Sequence, residues 1–118
     1  MAKPDLTPLT RIDGFVAAAL VDSESGLALA TEGNDDNLEL AAAGNTEVIR
    51  AKLKVNAHLK MNDNAEDILI SMGKQYHLLR PLREANTFFL LMVLNSGLAN
   101  LAMARHQLQE FEQKLQFS

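Results

Sequence analysis

Cysteine is absent from the 118 residues. That excludes disulfide scaffolds, iron–sulfur clusters, thiolate zinc sites and cysteine nucleophiles. Tryptophan is absent too, and there is one tyrosine, which argues against a surface that stacks sugars or nucleobases. Positive charge is in deficit: 11 Lys and Arg stand against 15 Asp and Glu, a net charge of −4 with a pI near 5.3. Such a balance speaks against phosphate backbones and anionic membranes as partners. The apolar run from Gly14 to Val21 is far too short to span a bilayer. Asp5 and Asp13 dilute the leader that would make it a signal peptide. A cytoplasmic chain that neither binds nucleic acid nor inserts into a membrane is the expectation.

Chemistry-bearing motifs are scarce as well. His58, His77 and His106 are the only histidines, and they show no short metal-ligand spacing. Gly14, Gly26 and Gly33 do not approach the G-x-x-x-x-G-K-[ST] pattern that cradles phosphates. The chain is therefore not itself a GTPase, and no cofactor is expected. The stretch "VDSESGLALATEG", residues 21–33, gathers Asp22, Ser23 and Glu24. A calcium loop would need Gly at its sixth position and Glu at its twelfth; counted from Asp22, Gly26 is fifth and Gly33 is twelfth. Ser23 lacks the glycine-flanked elbow of esterases. The stretch reads as a turn, in which short polar side chains bond nearby amides and Gly26 takes a positive φ.

What the chain does have is patterned hydrophobicity, 47% of its residues, enough for one core. "GFVAAALVD" is apolar on both alternating sets, as a strand covered on both faces must be, and "LALAT" completes a hairpin. "AEDILISMGKQYHLLRPL" is a second hairpin turning at Gly73-Lys74, with Pro81 at a strand end or bulge. "TFFLLMVL" is a second central strand. A short helical lead-in at "LTRI" precedes them, and a closing helix carries Leu101, Ala104, Leu108, Phe111 and Leu115, capped by Asn95 or Ser96. The order is strand–strand–helix–strand–strand–strand–helix. It describes an α+β sandwich: a five-stranded, mainly antiparallel sheet with the first and fifth strands neighbours in the middle and "LALAT" and "DILISM" at the edges. A single domain over 1–118 is expected, with a lead-in at 1–13 and a core at 14–115.

The long helix, drawn from residues 34–63, carries two apolar stripes. Leu38, Ala42, Ile49 and Leu53 form the first; Leu40, Ala41, Gly44, Val48, Ala51, Val55 and Leu59 form the second. A polar line of Asn45, Lys52 and Asn56 separates them. A helix lying on one sheet face needs an apolar arc of only about 100°, and this one exceeds half the circumference. The excess fits either another element of the same chain or another copy of the molecule; the breadth of the arc favours the copy. Together with the exposed edge containing Ile68 and Ile70, this stripe is the expected dimer interface. Arg50, Lys52, Lys54 and Lys60 make the helix basic, as a solvated face or as steering charges for an acidic partner, with Arg50 and Lys54 the first candidates. Arg80 and Arg83, flanking Pro81-Leu82, are the weaker candidates for an arginine finger.

Gly14 opening an apolar strand, "VDSESGLALA", the Ala-rich helix, "ILISMGKQYHLLRPL", "FFLLMVL" and "ANLAMARHQL" occur in an order and spacing that resembles the roadblock family, named for a dynein light chain and including bacterial partners of Ras-like small GTPases. The resemblance runs from about Gly14 to Leu115. It implies helices on both sheet faces, a homodimer of paired long helices and joined edge strands, and a noncatalytic regulator of a Ras-like small GTPase that stimulates hydrolysis, if at all, by reshaping its partner. A nucleotide-independent dimeric scaffold and a small-ligand sensor are the alternatives, with a small hydrolase at Asp22-Ser23-Glu24 behind them. The lead-in "DLTPLTRI" is shorter than the family's first helix, which leaves one sheet face thinly covered or covered by a partner.

Overall fold

The computed structural model describes residues 4–58, 67–83 and 87–115. Its elements are a 3-10 turn (Thr7–Arg11), β1 (Phe15–Asp22), β2 (Ala28–Gly33), α1 (Leu38–His58), β3 (Ile68–Met72), β4 (Gln75–Pro81), β5 (Phe88–Asn95) and α2 (Leu101–Lys114). The five strands form one sheet in the order β2-β1-β5-β4-β3, every pair antiparallel. The doubly apolar strands β1 and β5 are neighbours, and β2 and β3 are the edges, as their sequences require.

Alternation sorts the side chains between two faces. On one, Ala18, Leu20, Leu78, Leu90, Met92 and Leu94 meet Leu6, Leu9 and Ile12 from the 3-10 turn and its flanks, and Ala104 and Leu108 from α2. This face is not left thin by the short lead-in. Pro8 opens the 3-10 turn with φ already set for it, and three apolar residues at spacings of three turn inward together. On the other face, Ala17, Ala19, Val21, Leu79, Phe89, Leu91 and Val93 pack on Leu38, Ala42 and Ile49 of α1.

The first hairpin turn is built as its residues dictate. Asp22 accepts from Glu24 N through Oδ1 at 2.9 Å and from Gly26 N through its carbonyl at 2.7 Å, while Gly26 takes φ +77°. Ser23 does more than shape a turn. Its hydroxyl and its N–H both donate to the Thr87 carbonyl at 2.8 Å, tying this hairpin to the start of β5. The second hairpin turns at Gly73-Lys74 and Pro81 is the last residue of β4, where its missing donor does no harm.

The cap of the closing helix differs from the sequence reading. Asn100, not Asn95 or Ser96, is the N-cap, accepting from Met103 N. Asn95 instead closes a turn, accepting from Gly97 N at 2.9 Å, and Ser96 bonds the β3–β4 turn through Gly73 O at 2.7 Å. Long-range ties at the end of the sheet outcompete an earlier helix start. The stripe Leu101, Ala104, Leu108, Phe111 and Leu115 does face the core.

Gly33 ends β2 with φ +94°, paired opposite Ala17. A Cβ there would lie 2.3 Å from the Val16 carbonyl oxygen and 2.7 Å from Ala17 Cα. Gly33→Ala therefore combines a strained dihedral with a backbone clash and should lower stability by about 2–3 kcal/mol, measured as a fall in the urea midpoint at unchanged slope.

Candidate interaction surface

α1 buries only one stripe. Leu38, Ala42, Asn45, Thr46 and Ile49 are buried, whereas every residue from Arg50 to Val55 is exposed. Twenty-one residues make a helix about 31 Å long, and its stretch from Arg50 to Val55 stands clear of the core. Leu53, expected on the sheet-facing stripe, is accordingly 48% exposed: the stripe is right in angle but runs past the packed surface. Helix cohesion is supplemented by Thr46, whose hydroxyl donates to Ala42 O at 2.7 Å.

The second stripe points outward. Leu40 is 74%, Val48 37% and Val55 47% exposed; Gly44 and Ala51 are exposed between them, and Ala41 is half-buried against the α1-side core. Leu59 lies outside the described residues. At 3.6 residues per turn these positions fill an arc of about 100° without a charge. Glu47 and Lys54 border it on one side and Lys52 on the other. On a protein surface such an apolar strip rimmed by charge marks a contact site.

Two polar contacts fix how α1 is rotated on the sheet. Asn45, part of the polar line between the two stripes, is buried and its amide lies 3.2 Å from His77 Nδ1 on β4. On the opposite flank, the Arg50 guanidinium donates to the Glu24 carbonyl in the β1–β2 turn and sits 3.4 Å from Glu47. The helix is pinned between β4 and the first hairpin, so the uncharged arc faces away from the sheet on the β4 and β3 side. β3 is the edge there. Ile68 and Ile70 are half-buried against the α1-side core, and β3 pairs only with β4 among the described strands, so the backbone groups on its outer side have no strand partner among the described residues.

Of the steering candidates, Arg50 is thus engaged within its own chain, and Lys54 is exposed. Of the arginines considered as fingers, Arg80 is held inside the chain, whereas Arg83 is exposed and its backbone N–H is tied to Glu112. Arg80 is buried and its Nε lies 2.5 Å from Glu112 Oε1, while the other Glu112 oxygen accepts from Arg83 N at 2.9 Å. One carboxylate on α2 holds the end of β4 at two points. Arg105 of α2 adds a contact to Asp67 at 3.2 Å. This network escapes sequence reading because Arg80 and Glu112 are 32 residues apart; an arginine on an otherwise apolar strand is the available signal. Ser23 is likewise occupied by the Thr87 carbonyl and Asp22 by the Glu24 and Gly26 amides, while Glu24 contributes its backbone groups to the contacts there. No group of three His, Asp or Glu able to hold a metal occurs among the described residues, and none of the described helices is long and apolar enough to cross a membrane.

The architecture has relatives among solved structures. A Roadblock/LC7 domain from Streptomyces avermitilis superposes with a TM-score of 0.77 at 10% identity, over 92% of this chain and 88% of that one. The gliding protein MglB from Thermus thermophilus gives 0.76 at 16% identity, over 92% and 80%. MglB from Myxococcus xanthus gives 0.73 at 13% identity, over 85% and 73%. No protein-family model matches the chain, and no curated protein matches it by sequence. The fold is the roadblock fold, as the order and spacing of the sequence motifs imply.

Two predictions come from the polar contacts. Removing the carboxylate in Glu112→Ala strands the buried Arg80 guanidinium and should cost about 3–5 kcal/mol, read by urea unfolding. His77 behaves differently. Burial holds its pKa below the ordinary 6.5, and the Asp35 carboxylate only partly opposes this. The folded state therefore favours the neutral ring, and the unfolded chain takes up the proton first. Stability is complete above the ordinary histidine value and declines as pH falls from there through the lowered folded value. Comparing unfolding at about pH 7.5 and about pH 5.5, wild type should lose more stability than His77→Gln.

Proposed function

We propose that two copies of this chain associate through the outward stripe of α1 and the β3 edge, and that the dimer binds and regulates a Ras-like small GTPase without catalytic residues of its own. The observation that carries the reading is the uncharged arc of Leu40, Gly44, Val48, Ala51 and Val55, exposed beside an open sheet edge in a roadblock fold. The interface residues are these with Ala41, Leu59, Ile68 and Ile70. The roadblock family, which the sequence resembles and whose fold the chain has, includes regulators of such GTPases. The reactive side chains single out no chemistry of their own: Ser23, Arg80 and Glu112 are engaged in structural bonds.

A two-fold dimer presents a broad composite surface to one asymmetric partner, and the triphosphate state is the one whose ordered switch loops a rigid surface can read. Lys54 is the better placed of the steering residues, since Arg50 is held by Glu24. Charge reversal at Lys54 should slow association more than it speeds dissociation.

The test has two steps. Light scattering at tens of micromolar should show a dimer, and Val48→Asp, which buries an unpaired charge only if two copies meet, should be monomeric with its fold intact. The dimer is then used as bait in the source cell, and the recovered GTPase is titrated in both nucleotide states. Failure to recover a GTPase, or binding indifferent to nucleotide, replaces the regulator reading with that of a nucleotide-independent dimeric scaffold.

A further inference from the structure

α1 and β3 leave a trough between them. The helix lies mainly over β1 and reaches β4 through Asn45, while β3 runs beyond it at the sheet border. Ile68, Ile70 and His77 make the floor. Alternation turns all three toward the α1 side, Ile70 stands opposite His77 in the ladder, and each is half-buried. The floor is therefore apolar except for one imidazole. One wall is the helix at Asn45, with Gly44 beside it, Ala41 a turn before it and Val48 a turn after. Asn45 is buried. Its amide nitrogen can only donate, so His77 Nδ1, 3.2 Å away, accepts, and the neutral ring carries its proton on Nε2.

We propose that His77 makes the pairing of two copies pH-dependent: the contact forms over the neutral imidazole and is released when the ring takes up a proton. This regulation rests on the dimer reading above. The outward arc of α1 and the β3 edge, the two pieces of that interface, stand on either side of the ring. A second copy laid across both closes the trough and removes the water that still reaches the half-buried imidazole. A charged ring loses its hydration there, and a neutral one loses far less. Protonation also puts a hydrogen on Nδ1, facing the hydrogens of the Asn45 amide. The amide must then turn over inside a buried site, next to Gly44 and Val48 on the helix surface that the copy would meet.

The surroundings of the ring do little to offset its charge. On α1 the group facing it is the uncharged Asn45, and Lys52, the next member of that polar line, stands about 10 Å further along the helix. The β2–α1 connection brings Asp35, whose carboxylate already accepts from Asn37 N at 2.9 Å. β3 and β5 present Ile70 and Val93 in register with His77, and neither strand carries a charged residue. On β4 itself Gln75 and Leu79 share its face, while Arg80 points to the other, where Glu112 holds it. In the single chain burial outweighs Asp35 and keeps the ring below its ordinary pKa. The uncharged arc brings no carboxylate to reverse that, so the dimer holds the ring lower still. Association is then complete above the single chain's His77 value and weakens as pH falls through it, with two rings per dimer taking up protons on release.

The test is sedimentation equilibrium at about pH 7.5 and about pH 5.5, with circular dichroism checking the fold at both. The dimer Kd of wild type should rise about tenfold or more at the lower pH. H77Q, neutral at both, should keep its Kd within about twofold, while H106Q, altered on α2, should respond as wild type does. An NMR titration of the wild-type imidazoles reads the same linkage without a variant: His77 should titrate at lower pH in a concentrated, dimeric sample than in a dilute, monomeric one. A dimer whose Kd ignores pH or tightens at the lower value, a pH response that survives in H77Q, or a His77 titration unmoved by concentration overturns the switch and leaves the dimer standing. A wild type that remains monomeric at tens of micromolar at the higher pH overturns both.

Discussion

Everything in this molecule follows from two neighbouring strands that are apolar on both sides. β1 and β5 pair along nearly their whole length, with Ala17 to Val21 and Phe89 to Leu94 almost without exposed surface. Such a pair cannot leave either face to water: each large apolar side chain withdrawn, such as Leu20 or Phe89, is worth on the order of 1.5–3 kcal/mol. One face takes α1; the other takes α2 and the 3-10 turn. The alanines of β1 make the α1 side shallow, so a helix can lie close while presenting only a narrow stripe inward. The remainder of α1, including its second apolar stripe, is then displaced outward by the same packing that secures the first.

Much of this is legible because alternation and helical spacing are local. The central pair, both edges, both hairpin turns, the lead-in and the inward stripe of α2 are each written within a few residues of the chain. What local pattern does not encode is partnership at distance. Asn45 is one of a polar line between two stripes on a helical wheel, yet it finds His77 across 32 residues. Arg80 looks free on an apolar strand, yet it finds Glu112. Ser23 looks like an ordinary turn former, yet it finds the Thr87 carbonyl. In each case a polar group near the core must be satisfied, and the sequence names the need without naming the partner.

The candidate surface shows the same division. The two stripes of α1 are readable as angles on a helix, and the structure tells them apart: Leu38, Ala42 and Ile49 go in, Leu40, Val48 and Val55 stay out. The length of the packed surface is not readable, and so Leu53 is expected inside although the helix has by then outrun the sheet. Arg50 is the counterpart on the polar side, a charge that composition marks as free and that the first hairpin holds.

The other edge, β2, is built differently from β3. A sheet able to pair at both borders would grow by repeated addition into a filament. β2 is six residues long, its ladder with β1 shifts register at Leu20/Val21, and Gly33 ends it in a conformation no extending strand would share. The ladder of β3 with β4, by contrast, runs without a register shift. An edge interrupted as β2 is gives an incoming strand little regular backbone to pair with.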